Sequence, residues 1–123
     1  MQKSPIALIG IVLACVLANP AYSKTEPATE AEVDSADEAH LGCLHDAVES
    51  LDDGISDAAT IAAAVAPSCS ATMAHLVEVR GRALSKRARY FFAELQRGRQ
   101  IDYATAMVLR FRKEKADQRV QGR

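Results

Sequence analysis

The chain has 123 residues, a formal net charge of −1 at pH 7, 49% hydrophobic residues and only 5% aromatic residues. This length leaves room for one small domain. Charge is unevenly divided, because residues 24–69 hold eleven acidic residues and one lysine (−10), whereas residues 70–123 hold five acidic and thirteen basic residues (+8). The two halves therefore either face each other within the fold or form one acidic and one basic surface.

The first residues have the pattern of a secretory signal peptide. Lys3 gives a positive start, and the apolar run over residues 5–18 is shorter than the roughly 20 residues that a membrane-spanning helix needs. Ala21 and Ser23 are small and are spaced as in an A-x-A cleavage site. We therefore expect residues 1–23 to be removed as the protein is exported to the periplasm or the medium.

Two other outcomes of export remain as alternatives. The sequence V-L-A-C, which ends at Cys15, loosely resembles a bacterial lipobox and would leave a lipidated cysteine. Against lipidation, Leu13 stands where a smaller residue is usual, and the apolar run continues past Cys15. In the second alternative the segment is not cleaved and stays as a membrane anchor.

Removal of the signal peptide would leave two cysteines, Cys43 and Cys69, in an oxidising compartment. A disulfide between them would close a loop of about 27 residues, which is worth roughly 3.5 kcal/mol in the chain-entropy account. Small cores rarely supply more than about 3–5 kcal/mol by burial alone. A bridge would therefore be a large share of the stability, and we predict that it forms.

The mature chain begins with an acidic segment, residues 24–35, which we interpret as a disordered linker because it holds almost no large apolar residue. Helix one is expected over residues 36–51, where apolar residues recur at helical spacing: Leu41, Leu44, Val48 and Leu51. Gly54 then favours a helix stop.

Helix two is expected over residues 57–66, with Ser56 or Asp57 as its cap and an alanine-rich sequence that permits a close approach to another helix. Pro67 should end or kink this helix, because it lacks an amide hydrogen and disfavours a helical conformation at the residue before it.

Helix three is expected over residues 68–97, because apolar and small residues form a regular seam: Met73, Val77, Gly81, Leu84, Ala88, Phe91 and Leu95. Gly98 marks its end, and Asp102 would cap helix four over residues 103–119, followed by a frayed tail at residues 120–123. No alternating strand pattern is visible. The sequence thus predicts an all-α domain over residues 36–119, a disulfide-stapled helical hairpin with one or two further amphipathic helices.

No metal or catalytic site is expected. Zinc needs four nitrogen or sulfur ligands in a tetrahedron, and only His40 and Cys43 share a helix face among the candidates, which are His40, Cys43, His45, Cys69 and His75. A catalytic thiol at Cys43 is disfavoured because Asp46 and Glu49 would raise its pKa. The carboxylates near Gly54 (Asp52, Asp53 and Asp57) could attract calcium weakly, but the EF-hand order of ligands is absent, so turn and cap roles are the favoured interpretation. We expect no cofactor.

Basic residues of the second half form the one surface pattern that suggests binding. Three of them follow helical spacing on predicted helix three, Arg82, Lys86 and Arg89, and four cluster on predicted helix four, Arg110, Arg112, Lys113 and Lys115. In an exported protein, anionic lipid, acidic envelope polymers or an acidic partner protein would be the target rather than nucleic acid. The competing and favoured interpretation is that these charges are solvated or pair with acidic helix one.

The segment from Cys43 to Cys69, with its sequence LDDGISDAATIAAA, resembles short exported proteobacterial proteins of unknown function in which LDDGxSDAxTIAxA lies between two cysteines. The resemblance covers about a fifth of the chain and implies no activity, cofactor or partner.

The expected function is that of a non-enzymatic periplasmic interaction or structural module with an unidentified protein partner. The alternative is a peripheral envelope binder that uses the basic residues on anionic lipid or acidic polymers. No membrane-spanning segment is expected after signal cleavage. The exposed seam of helix three leaves a homodimer as a further possibility.

Overall fold

A computed structural model describes residues 26–122, which form four helices and no strand, so the all-α prediction is confirmed for this part of the chain. The helices are α1 (Glu30–Leu51), α2 (Ala58–Ser68), α3 (Ser70–Gly81) and α4 (Lys86–Gln121). The predicted signal peptide and the lipobox cysteine Cys15 lie outside the described residues.

Helix α1 begins six residues earlier than predicted, because a capping box starts it. The Thr29 side chain accepts a hydrogen bond from the Glu32 amide at 3.2 Å, and the Glu32 carboxylate accepts one from the Thr29 amide at 2.8 Å. Ala36 also packs in a small apolar cluster with Leu76 and Val79 of α3. The predicted disordered linker is therefore wrong for residues 30–35, which are helical.

The turn between α1 and α2 has the predicted chemistry. Gly54 adopts a φ of 69°, which favours glycine. Asp53 accepts hydrogen bonds from the amides of Ile55 and Ser56, both at 2.8 Å. Asp57 is the N-cap of α2 and accepts the Thr60 amide at 2.9 Å, so the cap prediction is confirmed.

Helix α2 extends two residues further than predicted and includes Pro67 in its last turn. The chain then turns at Cys69, where the axes of α2 and α3 differ by 69°. Among the described residues, no single helix is long and apolar enough to cross a bilayer. Helices α2 and α3 together have the required length and apolar composition, but the bend at Cys69 lies between them.

The predicted division between helices three and four is wrong. Helix α3 ends at Gly81, and Ser85 caps α4 by accepting the Ala88 amide at 3.3 Å. Helix α4 then runs without interruption through Gly98 and Asp102 to Gln121, so part of the predicted frayed tail is helical as well. At about 1.5 Å per residue, these 36 residues span about 54 Å.

The main core lies where α1, α2 and the second half of α4 meet. Leu44 and Val48 of α1, Val65 of α2 and Val108 of α4 are buried there, and each exposes at most 1% of its surface. Phe111 of α4 completes this cluster. The small residues of α2 let the other two helices approach closely, as the alanine-rich sequence predicts.

The predicted disulfide is present and joins α1 to the residue that follows α2. The Cα atoms of Cys43 and Cys69 are 5.8 Å apart, within the usual range for a bridge. Cys69 has no solvent exposure and lies in the main core. The bridge thus closes the α1–α2 hairpin on the side opposite its turn.

We expect loss of this bridge to lower the free energy of unfolding by about 3–4 kcal/mol, because the unfolded chain regains the entropy of an open loop. Urea denaturation of the protein with and without reductant measures the change. In the control, reductant should not alter the double variant Cys43→Ala/Cys69→Ala. Equal stability of the oxidised and reduced protein, or two alkylated thiols in the exported protein without reductant, would contradict the predicted role.

Candidate functional site

The first part of α4, residues 86–99, is called the arm here, and it lies beside α3 rather than in the main core. One side of the arm faces inward: Phe92 and Ala93 are half-buried and Gln96 is buried. Arg89 fixes its start, since its guanidinium donates to the carbonyls of Gly81 and Arg82 at 3.2 and 3.3 Å. The arm is therefore held in place on one side and free to contact a partner on the other.

The outer side of the arm carries an apolar row that we call the arm face: Leu84, Ala88, Phe91, Leu95 and Gly98. Ala88, Phe91, Leu95 and Gly98 follow steps of three and four, which place them on one side of α4. Leu84 precedes the helix, in the turn at residues 82–85. Leu84, Phe91 and Leu95 are 37%, 59% and 52% exposed. Tyr90 is exposed next to Phe91 and meets its ring edge-on at 5.9 Å. Contiguous exposed apolar surface of this kind is typical of an interaction site.

Apart from Gly98, the arm face is the second half of the seam that the sequence predicts, but the seam does not lie on a single helix. The seam buries Met73 and Gly81 on α3, before the turn at residues 82–85 changes the direction of the chain. After the turn the same seam points away from the described parts of the protein. The sequence located the row but not the turn at residues 82–85 that divides it.

Two opposite charges flank the arm face. Arg87 lies one residue before Ala88, with its guanidinium carbon 5.8 Å from the centre of the Phe91 ring. Glu94 lies one residue before Leu95 and pairs with Arg97 at 2.6 Å on the exposed surface. An exposed pair of this spacing contributes only a few tenths of a kcal/mol, so Glu94 can exchange it for another cation at little cost.

The three basic residues predicted to form one helical row are not on one helix. Arg82 lies in the turn after α3 and pairs with Glu32 of α1 at 2.8 Å. The hydrogen bond from Arg82 lowers the pKa of Glu32 to about 2 and raises that of Arg82. Arg89 caps carbonyls at the end of α3. Lys86, the third of the three basic residues, is the first residue of α4 and is exposed.

The basic residues predicted on helix four are likewise engaged with neighbours. Arg110 pairs with Glu114 at 2.8 Å and Lys113 with Asp117 at 2.6 Å, both along the exposed side of α4. The Lys115 ammonium lies 4.4 Å from the centre of the Phe111 ring. These contacts favour the interpretation in which much of the basic charge is compensated within the molecule.

Arg112 has a role that the sequence did not reveal. Its Nε lies 3.1 Å from both carboxylate oxygens of Asp52, and its Nη2 donates to Asp52 Oδ1 at 2.6 Å and to the Ser56 carbonyl at 2.7 Å. The Asp52 side chain is only 4% exposed. The hydrogen bond from Arg112 lowers the pKa of Asp52. Arg112 therefore fastens α4 to the α1–α2 turn, a contact across 60 residues that no local pattern signals.

The candidate metal ligands are dispersed. Cys43 and Cys69 are joined in the disulfide, so neither offers a thiolate to a metal. His40 is buried and lies 3.0 Å from the Thr72 hydroxyl, whereas His45 and His75 are exposed beside acidic residues. His45 forms an exposed group with Asp46 and Glu49, in which one potential ligand atom of each residue lies within 4.8 Å of the other two.

No protein-family model, curated protein or solved structure matches this chain. The resemblance of the segment from Cys43 to Cys69 to short exported proteins therefore stays a prediction.

Replacing Arg112 should weaken the fold more than replacing its exposed neighbour. We expect Arg112→Gln to lower the free energy of unfolding clearly more than Arg110→Gln does, because it removes charged hydrogen bonds and leaves the covered Asp52 carboxylate without its cation. Arg110→Gln, the matched control, removes an exposed pair and should cost at most about 0.5 kcal/mol. Urea denaturation measures both. Equal effects of the two substitutions would show that Arg112 is only a surface charge.

Acid should destabilise the protein as Glu32 is protonated. Because the pKa of Glu32 is lowered to about 2 in the folded protein, from an ordinary value near 4.3, its contribution is complete above that ordinary value and is lost as the pH falls from there towards 2. We expect Glu32→Gln to flatten the dependence of melting temperature on pH in this range. Glu49→Gln, at an exposed position of the same helix, is the control, and an identical change in both variants would contradict the role of the pair.

Proposed function

We propose that the protein is an exported, non-enzymatic interaction module, and that its arm face pairs with the arm face of a second copy of the chain. The observation that carries the proposal is the exposure of Phe91 and Leu95, at 59% and 52%, within one apolar row on a helix. When another helix covers such a row, apolar surface is removed from water, which is favourable.

The charges beside the row favour an antiparallel pair. In a parallel pair, Arg87 of one copy and Glu94 of the other would lie on opposite edges of the interface, so they could not pair. In an antiparallel pair, Ala88 would face Phe91 of the other copy, and each Arg87 would come next to Glu94 of the other copy. Two new ion pairs would then form by symmetry.

The size of the arm face sets the strength of the association. Residues 86–98 span about 20 Å of helix, and one face of so short a helix offers less area than the roughly 1,600 Å² that a standard stable interface buries. We therefore expect reversible pairing in the micromolar range or weaker, as is typical of small transient interfaces. This strength suits a module that assembles at high local concentration.

Export and a non-enzymatic role have separate support. The signal-peptide pattern and the Cys43–Cys69 bridge both suit an oxidising compartment outside the cytoplasm. The bridge leaves neither thiol as a nucleophile, and the three histidines lie on different parts of the surface or core. These features support a role in binding or structure.

Peripheral binding to anionic lipid or acidic polymers has less support. Arg82 and Arg112 are held by Glu32 and Asp52, and Arg89 is held by backbone carbonyls. A surface that binds anions would have to give up these contacts. Salt-sensitive binding to anionic vesicles would nevertheless favour this alternative over pairing of the arm faces.

Substitution of the arm face should shift the chain to a monomer. We expect Phe91→Ser to weaken self-association by at least about tenfold, because burial of a phenylalanine side chain is worth about 1.5–3 kcal/mol. Sedimentation velocity over a range of concentrations measures this. Leu109→Ser is the matched control, since Leu109 is 56% exposed on the same helix but outside the arm face.

Charge reversal tests the orientation of the pair. Arg87→Glu and Glu94→Arg should each weaken association, whereas the double variant Arg87→Glu/Glu94→Arg should restore it. A wild-type protein that stays monomeric at every concentration, or equal behaviour of the Phe91 and Leu109 variants, would refute self-pairing. A double variant as weak as the single ones would refute the antiparallel arrangement.

A further inference from the structure

A groove between α1, α3 and α4 lies apart from the arm face and encloses a cavity of about 340 Å³. Its walls are mainly apolar, formed by Leu41, Leu44, Met73, Leu76 and Met107. Polar groups stand among them: Asp37 with its ion-pair partner Arg80, Tyr103, Arg110 and the imidazole of His40. Apolar walls with a few polar groups are the usual composition of a small-molecule site, and this volume is at the small end of the range for such sites.

His40 is the unusual residue of the groove, because it is polar and only 4% exposed. Its Nδ1 lies 3.0 Å from the Thr72 hydroxyl, and that hydroxyl donates to the Cys69 carbonyl at 2.9 Å. Because this hydroxyl has one hydrogen and directs it to the carbonyl, we assign the hydrogen of the imidazole to Nδ1, which then donates to the hydroxyl oxygen. Nε2 is therefore the unprotonated nitrogen of a neutral imidazole and can accept a hydrogen bond.

Nε2 has no hydrogen-bond partner among residues 26–122. Burial of the ring lowers the pKa of His40, which keeps the imidazole neutral, although the negative charge of Asp37 acts in the opposite direction. Buried acceptors are nearly always satisfied in folded proteins. An acceptor without a partner in the wall of an apolar groove is a feature that a ligand with a matching donor would satisfy.

We propose that this groove binds a small, mainly apolar molecule with one hydroxyl group, which donates its hydrogen to Nε2 of His40 while its carbon skeleton contacts the leucine and methionine walls. An alkylated phenol or a medium-chain alcohol has this chemistry. Less than 1 Å² of Nε2 is accessible to solvent, so binding requires wall side chains to move. Met73 and Met107 are suited to this, because their unbranched side chains adapt readily.

Nuclear magnetic resonance titration of the full mature protein with 4-butylphenol tests the proposal, with 4-butylanisole as the matched control. The two probes share their alkyl ring, but the methyl ether has no hydrogen to donate. We expect the phenol to shift groove resonances and the imidazole Nε2 signal of His40, and to bind about 5- to 100-fold more tightly than the ether, the range that one hydrogen bond to a buried acceptor implies. 1-Heptanol in place of the phenol then distinguishes an aliphatic from an aromatic skeleton.

His40→Leu should abolish the preference for the phenol over the ether while the apolar walls still bind both. If that variant fails to fold, His40→Gln, which retains an acceptor, should keep the preference. Equal binding of phenol and ether to the wild type, shifts confined to residues outside the groove, or no binding of the phenol or the alcohol would each overturn the proposal.

Discussion

Closure of the α1–α2 hairpin by the Cys43–Cys69 bridge is the constraint on which the other contacts depend. The bridge holds the two helices together at the end opposite their turn, and Cys69 itself belongs to the core. Val108 and Phe111 of α4 pack against the surface that the closed hairpin provides. Arg112 fastens the same helix to the turn through Asp52. With both ends of the hairpin secured, α4 has a fixed position from which its first part can extend along α3.

The acidic first half and the basic second half of the chain form ion pairs with each other within the fold. Three arginines from the second half reach carboxylates of α1 or its C-cap: Arg80 pairs with Asp37, Arg82 with Glu32 and Arg112 with Asp52. These pairs join residues 43 to 60 positions apart. Opposite charges thus align α1 with α3 and with the end of α4. The arm face, which is apolar and has Arg87 and Glu94 at its edge, takes no part in these ion pairs and stays exposed to a partner.

The sequence predicted the local features of the fold well and its long-range features poorly. Gly54, Asp57 and the cysteine pair act as expected, because turns, caps and bridges depend on a few neighbouring residues or on simple chemistry. The turn at residues 82–85 was missed because the apolar seam continues through it without a break. Gly98 and Asp102 indicated a break that does not occur, because a single unfavourable residue is tolerated within a long, packed helix. The Arg112–Asp52 contact and the His40 groove arise only when helices distant in sequence come together.

Amide hydrogen exchange at two protein concentrations tests most directly whether the arm face is the interaction element. Residues 84–98 should exchange more slowly at the higher concentration, because a second copy would protect them. Residues 104–111, which lie in or beside the core of the single chain, should exchange at the same rate in both samples. Exchange in the arm that does not depend on concentration, or protection that appears elsewhere on the surface instead, would contradict the account.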